Sequence, residues 1–345
     1  MKKCAIHYFS GTGNTECAVN LICDRLKKSK IDVTLIKVEN GFKQDIEDTD
    51  FHIFAFPVYG FSAPRTFIKY VKNLRNTDRK QSAILSINGA EFAKGKLIDG
   101  YSAYASEHIE NILKKKNFDV FLLKNISFPV NWTQVMNPPK DEEIQTILEK
   151  SKNEVEAFSN SFVNMESKIS RSGFIGKYIF RMFIPIFANF ASRMLGKLYI
   201  SDNNCNSCRV CVKNCPTQNI KFFGKTPVWK FNCLGCNRCI NICPTHSIQT
   251  SILRVILHSV GALALGLLSI FTILGYITKI LPAQNNILII TIDLLIILGF
   301  LAILILLQFT VYDYIIRILE KIPFVRNLFQ LNFTSKFRRY FNKQK

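Results

Sequence analysis

Acidic residues are scarce in one half of this 345-residue chain, and that scarcity divides the chain in two. Residues 1–166 carry 23 basic and 21 acidic side chains, whereas residues 167–345 carry 22 basic and only 4 acidic ones. Apolar residues make up 48% of the chain and charged residues 20%, a balance that excludes a disordered protein. The length excludes a lone small module, so we expect two or three domains, with a change of character near residue 167.

The first residues lack the apolar run of a secretory signal. MKKCAIHYFS has two lysines, but no apolar stretch of about 7 residues precedes the polar SGTGNT. The sequence therefore predicts that no signal peptide is cleaved. The 11 cysteines are then expected to meet a reducing cytosol, where dense disulfides are disfavoured.

Eight of the 11 cysteines form two copies of one spacing. Residues 205–220 read CNSCRVCVKNCPTQNI and residues 233–248 read CLGCNRCINICPTHSI, each a C-x2-C-x2-C-x3-C-P pattern. This spacing is typical of [4Fe-4S] clusters, and in two-cluster proteins the fourth cysteine of each copy binds the other cluster. The predicted ligands are Cys205, Cys208, Cys211 and Cys243 for cluster one, and Cys233, Cys236, Cys239 and Cys215 for cluster two.

Zinc and disulfides are the competing interpretations of these cysteines. Zinc commonly takes two C-x2-C pairs, which leaves the third and fourth cysteine of each copy unexplained, and disulfides conflict with the cytosol. Residues 200–250 resemble the bacterial two-cluster ferredoxins. Soluble members of that family are usually acidic, whereas this segment has six bases and one acid. We therefore expect it to dock on an acidic redox partner or on the membrane.

Apolar runs alternate with helical patterns in the first 166 residues. Strands are predicted over 4–9, 32–38, 52–56, 82–87 and 120–128. Helices are predicted over 14–29, 65–76, 101–116 and 141–166. This alternation predicts an α/β domain with a doubly wound parallel sheet, which binds its ligand at the carboxyl ends of the strands.

The end of the first predicted strand carries a loop suited to an anion. It consists of Ser10, Gly11, Thr12, Gly13, Asn14 and Thr15. Small residues let backbone N–H groups approach a phosphate, and the following helix directs its positive end at it. The loop lacks the lysine of a nucleoside-triphosphate loop and is not G-x-G-x-x-G. An ordinary helix cap is the alternative.

By this loop and by the order of its elements, the segment 1–166 resembles the flavodoxins. The resemblance implies FMN, with its phosphate on residues 10–15. It also implies a second flavin loop, in which an aromatic side chain covers the isoalloxazine, with Tyr59 the first choice and Phe61 the second. A third loop would meet the ring with its backbone. The second and third loops comprise Pro57, Val58, Tyr59, Gly60, Phe61, Asn88 and Gly89. A shell that has lost its flavin and serves as a scaffold is the alternative.

Two long uncharged runs follow the cysteines, at residues 255–278 and 294–312. The first has 24 residues, about 36 Å of helix at roughly 1.5 Å per residue, which exceeds a bilayer core of about 30 Å. We predict two transmembrane helices, at about 255–278 and 290–312, with a turn at 282–286 and Asp293 near the interface. Two buried core helices are the alternative.

The distribution of bases predicts how this hairpin is oriented. Only Lys279 lies in the turn, whereas many bases flank the hairpin, so the positive-inside rule places both long flanks in the cytoplasm of a multi-pass membrane protein. Bases mix with Phe and Leu at 168–200 and 314–345, which predicts segments lying on anionic lipid, or else ordinary packing helices. No nucleic-acid motif accompanies the charge, so nucleic acid is not an expected partner.

The predicted domains are a flavodoxin-like FMN domain at 1–166, a basic amphipathic linker at 167–199, a ferredoxin-like domain at 200–250, the two membrane helices within 251–313, and a basic tail at 314–345. The first 250 residues resemble bacterial and archaeal flavodoxin and ferredoxin fusion proteins. We predict a membrane-anchored electron-transfer protein that passes electrons between FMN, two [4Fe-4S] clusters and external redox partners. A flavin-dependent reductase of a small organic substrate and a redox-responsive scaffold are the alternatives. The sequence leaves open the enzyme question, the direction of electron flow and the oligomeric state.

Overall fold

The computed structural model describes residues 1–39, 49–170, 191–280 and 287–343. The predicted turn at 282–286 lies outside the described residues, and so does most of the predicted linker at 167–199.

A mainly parallel sheet forms the centre of the first 170 residues. Its strands are β1 (Lys3–Tyr8), β2 (Asp32–Lys37), β3 (Phe51–Pro57), β4 (Lys80–Ala93), β5 (Lys96–Ile98), β6 (Phe118–Pro129) and β7 (Lys168–Ile169). The spatial order is β2-β1-β3-β4-β6-β7, with all neighbours parallel, and β5 pairs antiparallel with β4. The first five parallel strands therefore follow the order 2-1-3-4-5 of flavodoxin-like folds. The predicted fold class is confirmed.

Helices cover both faces of the sheet, because its strands are apolar on both sides. The helices are α1 (Asn14–Lys28), α2 (Arg65–Lys72), α3 (Ala105–Lys115) and α4 (Asp141–Val163). On one face Ile22 of α1 and Phe158 of α4 pack in a cluster with Ile53 of β3. On the other face Phe67 of α2 lies in a second cluster with Phe54. The carboxyl ends of β1, β3 and β4 consequently meet at one edge of a rigid frame.

The structure corrects the predicted end of the fourth strand. A loop was expected at Asn88 and Gly89, but β4 continues through both residues to Ala93. The extension is paired along its length, since β6 runs beside it as far as Ala90 and β5 folds back against it from Glu91 to Ala93. Hydrogen bonding to two neighbours thus keeps this segment extended beyond the apolar run that marks the strand in sequence.

Short elements surround the cysteines. They are α5 (Ser192–Lys197), β8 (Tyr199–Ser201), α6 (Val210–Lys213), β9 (Ile220–Phe223), β10 (Thr226–Trp229), α7 (Arg238–Ile242) and β11 (Ile248–Thr250). β8 pairs with β11 and β9 with β10, both antiparallel. Tyr199, Trp229 and Ile240 pack among the buried cysteines as a small core of their own.

The C-terminal region contains α8 (Ile252–Gly275), α9 (Ile287–Leu307), α10 (Asp313–Leu319) and α11 (Pro323–Phe329). Two helical segments, Ile252–Thr278 and Ile287–Leu304, are long and apolar enough to cross a membrane, with mean hydropathies of 2.2 and 3.0. Only 6% of the first and none of the second apolar window is buried within the structure, unlike a core helix of a soluble domain. Asp293 lies in the first two turns of α9, close to the end that faces the predicted turn.

Residues 332–340 of the tail pack on the rest of the protein. Asn332 forms a bridge with Ser251, and the Thr334 hydroxyl accepts a hydrogen bond of 3.0 Å from the Thr250 N–H. Farther on, Tyr340 is 9% exposed. This last part of the predicted basic tail therefore packs on protein, although the sequence favoured a segment lying on lipid. Polar partners on both domains hold it there.

Two buried histidines, His7 and His52, have pKa values below the usual range. His7 Nδ1 lies 2.7 Å from the Tyr70 hydroxyl, and its Nε2 lies 3.0 Å from Nδ1 of His52. Burial, assisted by the positive charge of Lys80, lowers the pKa of His52 to about 4. Burial also holds the pKa of His7 well below its usual value, and the neighbouring His52 adds to this effect.

We expect acid to destabilise the protein through these two histidines. Both stay neutral in the folded state, whereas the unfolded chain takes up protons below about pH 6.5, so the free energy of unfolding falls as the pH drops from 6.5 towards 4. Each histidine lowers the free energy of unfolding by up to about 1.4 kcal/mol for each pH unit over this range. In urea unfolding, His52→Gln should reduce this pH dependence, and His246→Gln, at an exposed position, should leave it unchanged. Identical pH profiles for wild type and His52→Gln would contradict the assignment.

Candidate cofactor sites

The eight cysteines of the repeat lie in two groups. The pKa of Cys211 is raised to about 12, first by burial and then by the nearby thiols of Cys243, Cys205 and Cys208. Burial raises the pKa of Cys239 well above its usual value, and here the neighbouring thiols are those of Cys236, Cys233 and Cys215. The thiols of each predicted ligand set therefore lie near enough to influence one another, including the fourth cysteine from the other copy.

These groups differ from a site for one ion. In the described part of the chain, no three His, Cys, Asp or Glu side chains are gathered closely enough to hold a single metal. In a four-iron cube each thiolate binds a different iron. The donor set of four thiolates per group therefore suits a cube, in the predicted crossed arrangement.

The local backbone explains how three thiolates of one copy can face a common centre. Ser207 and Arg209 in the first copy have φ values of 58° and 59°, and Gly235 and Asn237 in the second have 66° and 57°. Alternating left-handed residues turn successive N–H groups inward, which makes a nest for negative charge. Ser207 adopts the conformation of Gly235 at a cost of about 1–2 kcal/mol, so this departure from glycine preserves the turn.

Hydrogen-bond donors reach several of the sulfurs. The Gly235 N–H lies 3.4 Å from Cys233 Sγ, the Asn219 N–H lies 3.2 Å from Cys215 Sγ, and the Trp229 indole N–H lies 3.4 Å from Cys239 Sγ. Donors of this kind stabilise thiolates and tune the potential of a bound cluster. The Trp229 side chain is therefore part of the wall around the cluster-two cysteines.

The two groups differ in exposure. Each group has two buried cysteines, Cys211 and Cys243 at 7% and Cys233 and Cys239 at 8%, but only group one also has an exposed cysteine, Cys208. Group two is covered by the flavodoxin-like domain, since Arg65 donates a 2.9 Å hydrogen bond to the Cys233 carbonyl and Leu234 packs in that domain's core. Cluster two would thus lie at the domain interface, and cluster one towards solvent.

The loop after β1 is built for an anion. Gly13, with φ of 98°, ends the loop in a left-handed conformation just before α1 begins. Ser10 Oγ accepts from the Gly13 N–H at 3.2 Å and from the Glu16 N–H at 3.4 Å. The remaining loop N–H groups donate to none of the described residues; they belong to Gly11, Thr12, Asn14 and Thr15. Four buried donors at the positive end of a 15-residue helix fit an FMN phosphate.

Tyr59 lies directly against this loop. A Cβ on Gly11 would be 2.0 Å from the Tyr59 hydroxyl and 3.1 Å from the Cys236 carbonyl, so only glycine fits there. The hydroxyl is at the buried end of a half-buried side chain, where burial and the neighbouring Cys236 raise its pKa well above the usual value. Tyr59, the side chain predicted to cover the flavin, therefore lies beside both the phosphate loop and the predicted cluster ligand Cys236.

The remaining predicted flavin residues are more spread out. Phe61, the second choice, is 39% exposed at a left-handed turn with φ of 68°. Asn88 donates to Gly100 and Ser102, but its buried Oδ1 accepts from no described group. An N–H group of a flavin ring could donate a hydrogen bond to this Asn88 oxygen. Pro57, Val58 and Gly60 are half-buried beside these residues, and a Cβ on Gly89 would meet Val130 at 3.0 Å.

Tyr340 and Asn342 of the tail also reach the loop. The Asn342 N–H donates to the Thr12 carbonyl at 2.9 Å, and the Asn342 carbonyl lies 2.0 Å from where a Cβ on Gly13 would be. The Tyr340 hydroxyl lies 3.1 Å from Asn14 Oδ1. Sequence reasoning missed these residues, and no local signal in the tail marks them.

Arg238 was also missed, although a signal for it exists. It is 7% exposed and donates to the carbonyls of Ser10 at 2.5 Å and Gly11 at 2.6 Å. At the matching place the first copy of the motif has Val210. A charge in one copy where the other is apolar marks a position at which the two copies face different surroundings.

The chain resembles known proteins in parts. The model of the LdpA Fe-S cluster-binding domain matches residues 203–254. No curated protein matches the chain. Similar solved structures include oxidised flavodoxin 2 from Bacillus cereus, with 20% identity over 46% of this chain and 99% of that chain and a TM-score of 0.34. A flavodoxin mutant from Fusobacterium nucleatum bound to flavin mononucleotide shares 18% identity over 47% of this chain and 96% of that chain, with a TM-score of 0.31.

Rubredoxin oxygen:oxidoreductase from the anaerobe Desulfovibrio gigas shares 16% identity over 46% of this chain and 37% of that chain, with a TM-score of 0.30. The strand order, and not these scores, carries the fold assignment. The chain therefore joins a flavodoxin-like domain to an iron–sulfur cluster-binding domain, a combination suited to electron transfer.

Proposed function

We propose that this protein is a membrane-anchored electron carrier in which FMN and two [4Fe-4S] clusters pass electrons between external redox partners. The observation that carries the proposal is that the Tyr59 hydroxyl and the Cys236 carbonyl both pack on Gly11, at 2.0 Å and 3.1 Å from where a Cβ on that residue would be. A predicted cluster ligand and a predicted flavin aromatic thus meet at one glycine of the phosphate loop. Electrons could therefore pass between the two cofactors within one chain.

The residues divide between the cofactors as their chemistry requires. The free N–H groups of the loop at residues 10–15 would hold the FMN phosphate, with Tyr59 and Asn88 towards the ring. The crossed cysteine sets would hold the cubes. When bound, FMN exchanges two electrons and each cube exchanges one, so the pair can couple one-electron and two-electron partners.

The exposure of the two cysteine groups suggests an order for the path. Cluster two would exchange electrons with FMN, since its ligands lie against the flavin loops. Cluster one would exchange electrons with an external protein through the exposed Cys208. The bases Arg209, Lys213 and Lys225 are exposed near it, which favours an acidic partner steered by opposite charge.

A reaction with reduced protein tests the carrier proposal against the reductase alternative. The carrier predicts that anaerobically reduced protein passes its electrons to an acidic ferredoxin or flavodoxin and turns over no small organic compound. A reductase needs an open site and a proton donor near the ring. The two candidates are engaged elsewhere: the Tyr59 hydroxyl lies on Gly11, and His108 Nδ1 lies 2.8 Å from the Ser62 hydroxyl. Rapid reoxidation by one specific small compound would nevertheless establish the reductase.

Membrane anchoring is supported by the uncovered apolar surface of the two long helices. Leu263 and Phe271 of the first are 64% and 68% exposed, and Leu295 and Ile296 of the second are each 63% exposed. Large contiguous apolar surfaces of this kind mark membrane or protein contacts. With Lys279 the only base between the helices, we propose that both flanks lie in the cytoplasm.

Removing the hairpin should free the protein from the membrane without unfolding it. The two helices meet at their base, where the Tyr312 hydroxyl donates to the Leu257 carbonyl at 3.0 Å and Gln308 donates to the His258 carbonyl at 3.1 Å. A short Gly/Ser linker can therefore replace residues 260–306 and keep the tail in place. We expect wild type to resist alkaline extraction from membranes and the deletion variant to be soluble, with its iron and flavin retained. A deletion variant that still resists extraction would show that another segment anchors the chain.

A further inference from the structure

A cavity of about 220 Å³ lies where the iron–sulfur domain meets the bases of the two apolar helices. Tyr199 and Trp229 form its wall on the cluster-two side. Arg254, in the first turn of α8, lines it with Tyr314 and Arg317 of α10. The cavity is thus distinct from both the flavin loops and the cysteine groups.

Positive charge dominates this cavity. Its cations are Lys197, Arg254, Arg317, Lys321 and Arg326. Glu320 is the acid in its lining. Asp313 lies behind the lining, 4% exposed at its side chain, with Lys197 and Arg317 each 2.8 Å away. Five cations thus face two carboxylates, an excess of three positive charges that favours an anionic ligand.

One buried donor in the cavity wall lacks a partner. Arg254 is 4% exposed; it donates to the Lys197 carbonyl at 3.0 Å and forms ion pairs with Glu320 and, at 3.5 Å, with Asp313, but its Nε has no partner among the described residues. A buried N–H without a partner is unfavourable by about 1–3 kcal/mol. A ligand oxygen in the cavity would satisfy it.

The position of the cavity indicates what else the ligand carries. Arg254 directly precedes the uncharged run 255–278, and Tyr314 follows the end of the second run by two residues. At the rim, Tyr314 is 64% exposed, Ile318 44% and Phe223 64%, with Lys321 above the Phe223 ring at 4.1 Å. Apolar surface beside a basic cavity at this level fits a ligand with an anionic head and an apolar tail.

We propose that this cavity binds the headgroup of an anionic phospholipid. Its phosphate would bind Arg254, Lys321 and Arg326, and its acyl chains would run along Tyr314 and Ile318 into the bilayer. The inference rests on the proposed membrane anchoring and adds a specific lipid site to it. Because Trp229 lines the cavity and donates to Cys239, the bound lipid would also contact the wall of cluster two.

The test uses the full chain, purified anaerobically and placed in nanodiscs of phosphatidylcholine with and without phosphatidylglycerol. Native mass spectrometry or a fluorescent phosphatidylglycerol reports the bound lipid. We expect Lys321→Gln with Arg326→Gln to weaken phosphatidylglycerol binding at least tenfold. Lys27→Gln with Lys28→Gln removes the same charge from exposed positions of the flavodoxin-like domain, outside the cavity lining, and should leave binding within twofold of wild type.

The outcomes separate this inference from membrane anchoring. Equal weakening in both double variants would mean diffuse charge attraction and overturn the site. Displacement of the lipid by millimolar inorganic phosphate would mean a soluble phosphate site, which also overturns it. Membrane-inserted wild type with no preference for phosphatidylglycerol defeats this inference alone, whereas wild type released by alkaline extraction defeats the anchoring itself.

Discussion

Replacing Cys243 by alanine is expected to remove the same iron–sulfur cluster as replacing Cys208, although the two residues belong to different copies of the motif. The reason is the crossed grouping, in which Cys243 lies with the first three cysteines of the other copy. Cys215→Ala and Cys236→Ala should likewise both remove the other cluster. Each variant should lose about four of eight irons. Iron and sulfide assays, with electron paramagnetic resonance of the reduced protein, distinguish which cluster is gone.

The two clusters should also differ in their effect on flavin. Cys236 lies against the flavin loops and Cys208 does not, so Cys236→Ala should lower FMN retention while Cys208→Ala leaves it intact. Cys23→Ala serves as the control, because this buried thiol lies in the flavodoxin-like core, away from both groups. If Cys215→Ala abolished the same signal as Cys208→Ala, each copy would bind its own cluster and the crossed assignment would be wrong.

Arg238→Ala is expected to uncouple the two domains. The buried guanidinium donates to the carbonyls of Ser10, Gly11 and, at 3.1 Å, Asn214, so it ties the phosphate loop to both copies of the motif. Removing it takes this donor from the buried carbonyls of Ser10 and Gly11, and we expect a loss of about 3 kcal/mol in the free energy of unfolding. Urea unfolding and FMN titration of the same sample measure the loss and its effect on flavin affinity, which should fall at least tenfold.

Arg209→Ala is the matched control for this prediction. Arg209 carries the same charge in the first copy but is exposed, with its guanidinium 5.4 Å from the centre of the Phe222 ring. Its loss should change stability by about 1 kcal/mol or less and leave flavin affinity unchanged. Equal behaviour of the two variants would mean that Arg238 does not hold the domains together.

Much of the flavodoxin-like domain could be predicted because its signals are local. The apolar runs at 52–56 and 82–87 match β3 and the first part of β4, and the Gly13 loop lies at the end of β1, where a phosphate loop was expected. Likewise the cysteine spacing is a short-range pattern. Such features follow from the order of neighbouring residues.

The rest depends on contacts between residues far apart in the chain. The extension of β4 through Asn88 follows from β5 and β6 and not from its own composition. The contacts of Cys233 with Arg65 and of Arg238 with Gly11 join segments 168 and 227 residues apart. Tyr340 reaches Asn14 from the opposite end of the chain. No periodicity within the tail could indicate that contact.

Cofactor content after strictly anaerobic purification in detergent tests the central claim most directly. Iron, sulfide and flavin are assayed per chain alongside the visible spectrum. The account predicts about eight irons, eight sulfides and one FMN, since each of two cubes holds four irons. Zinc in place of iron would contradict the cluster assignment, and eight irons without flavin would contradict the proposed path between clusters and FMN.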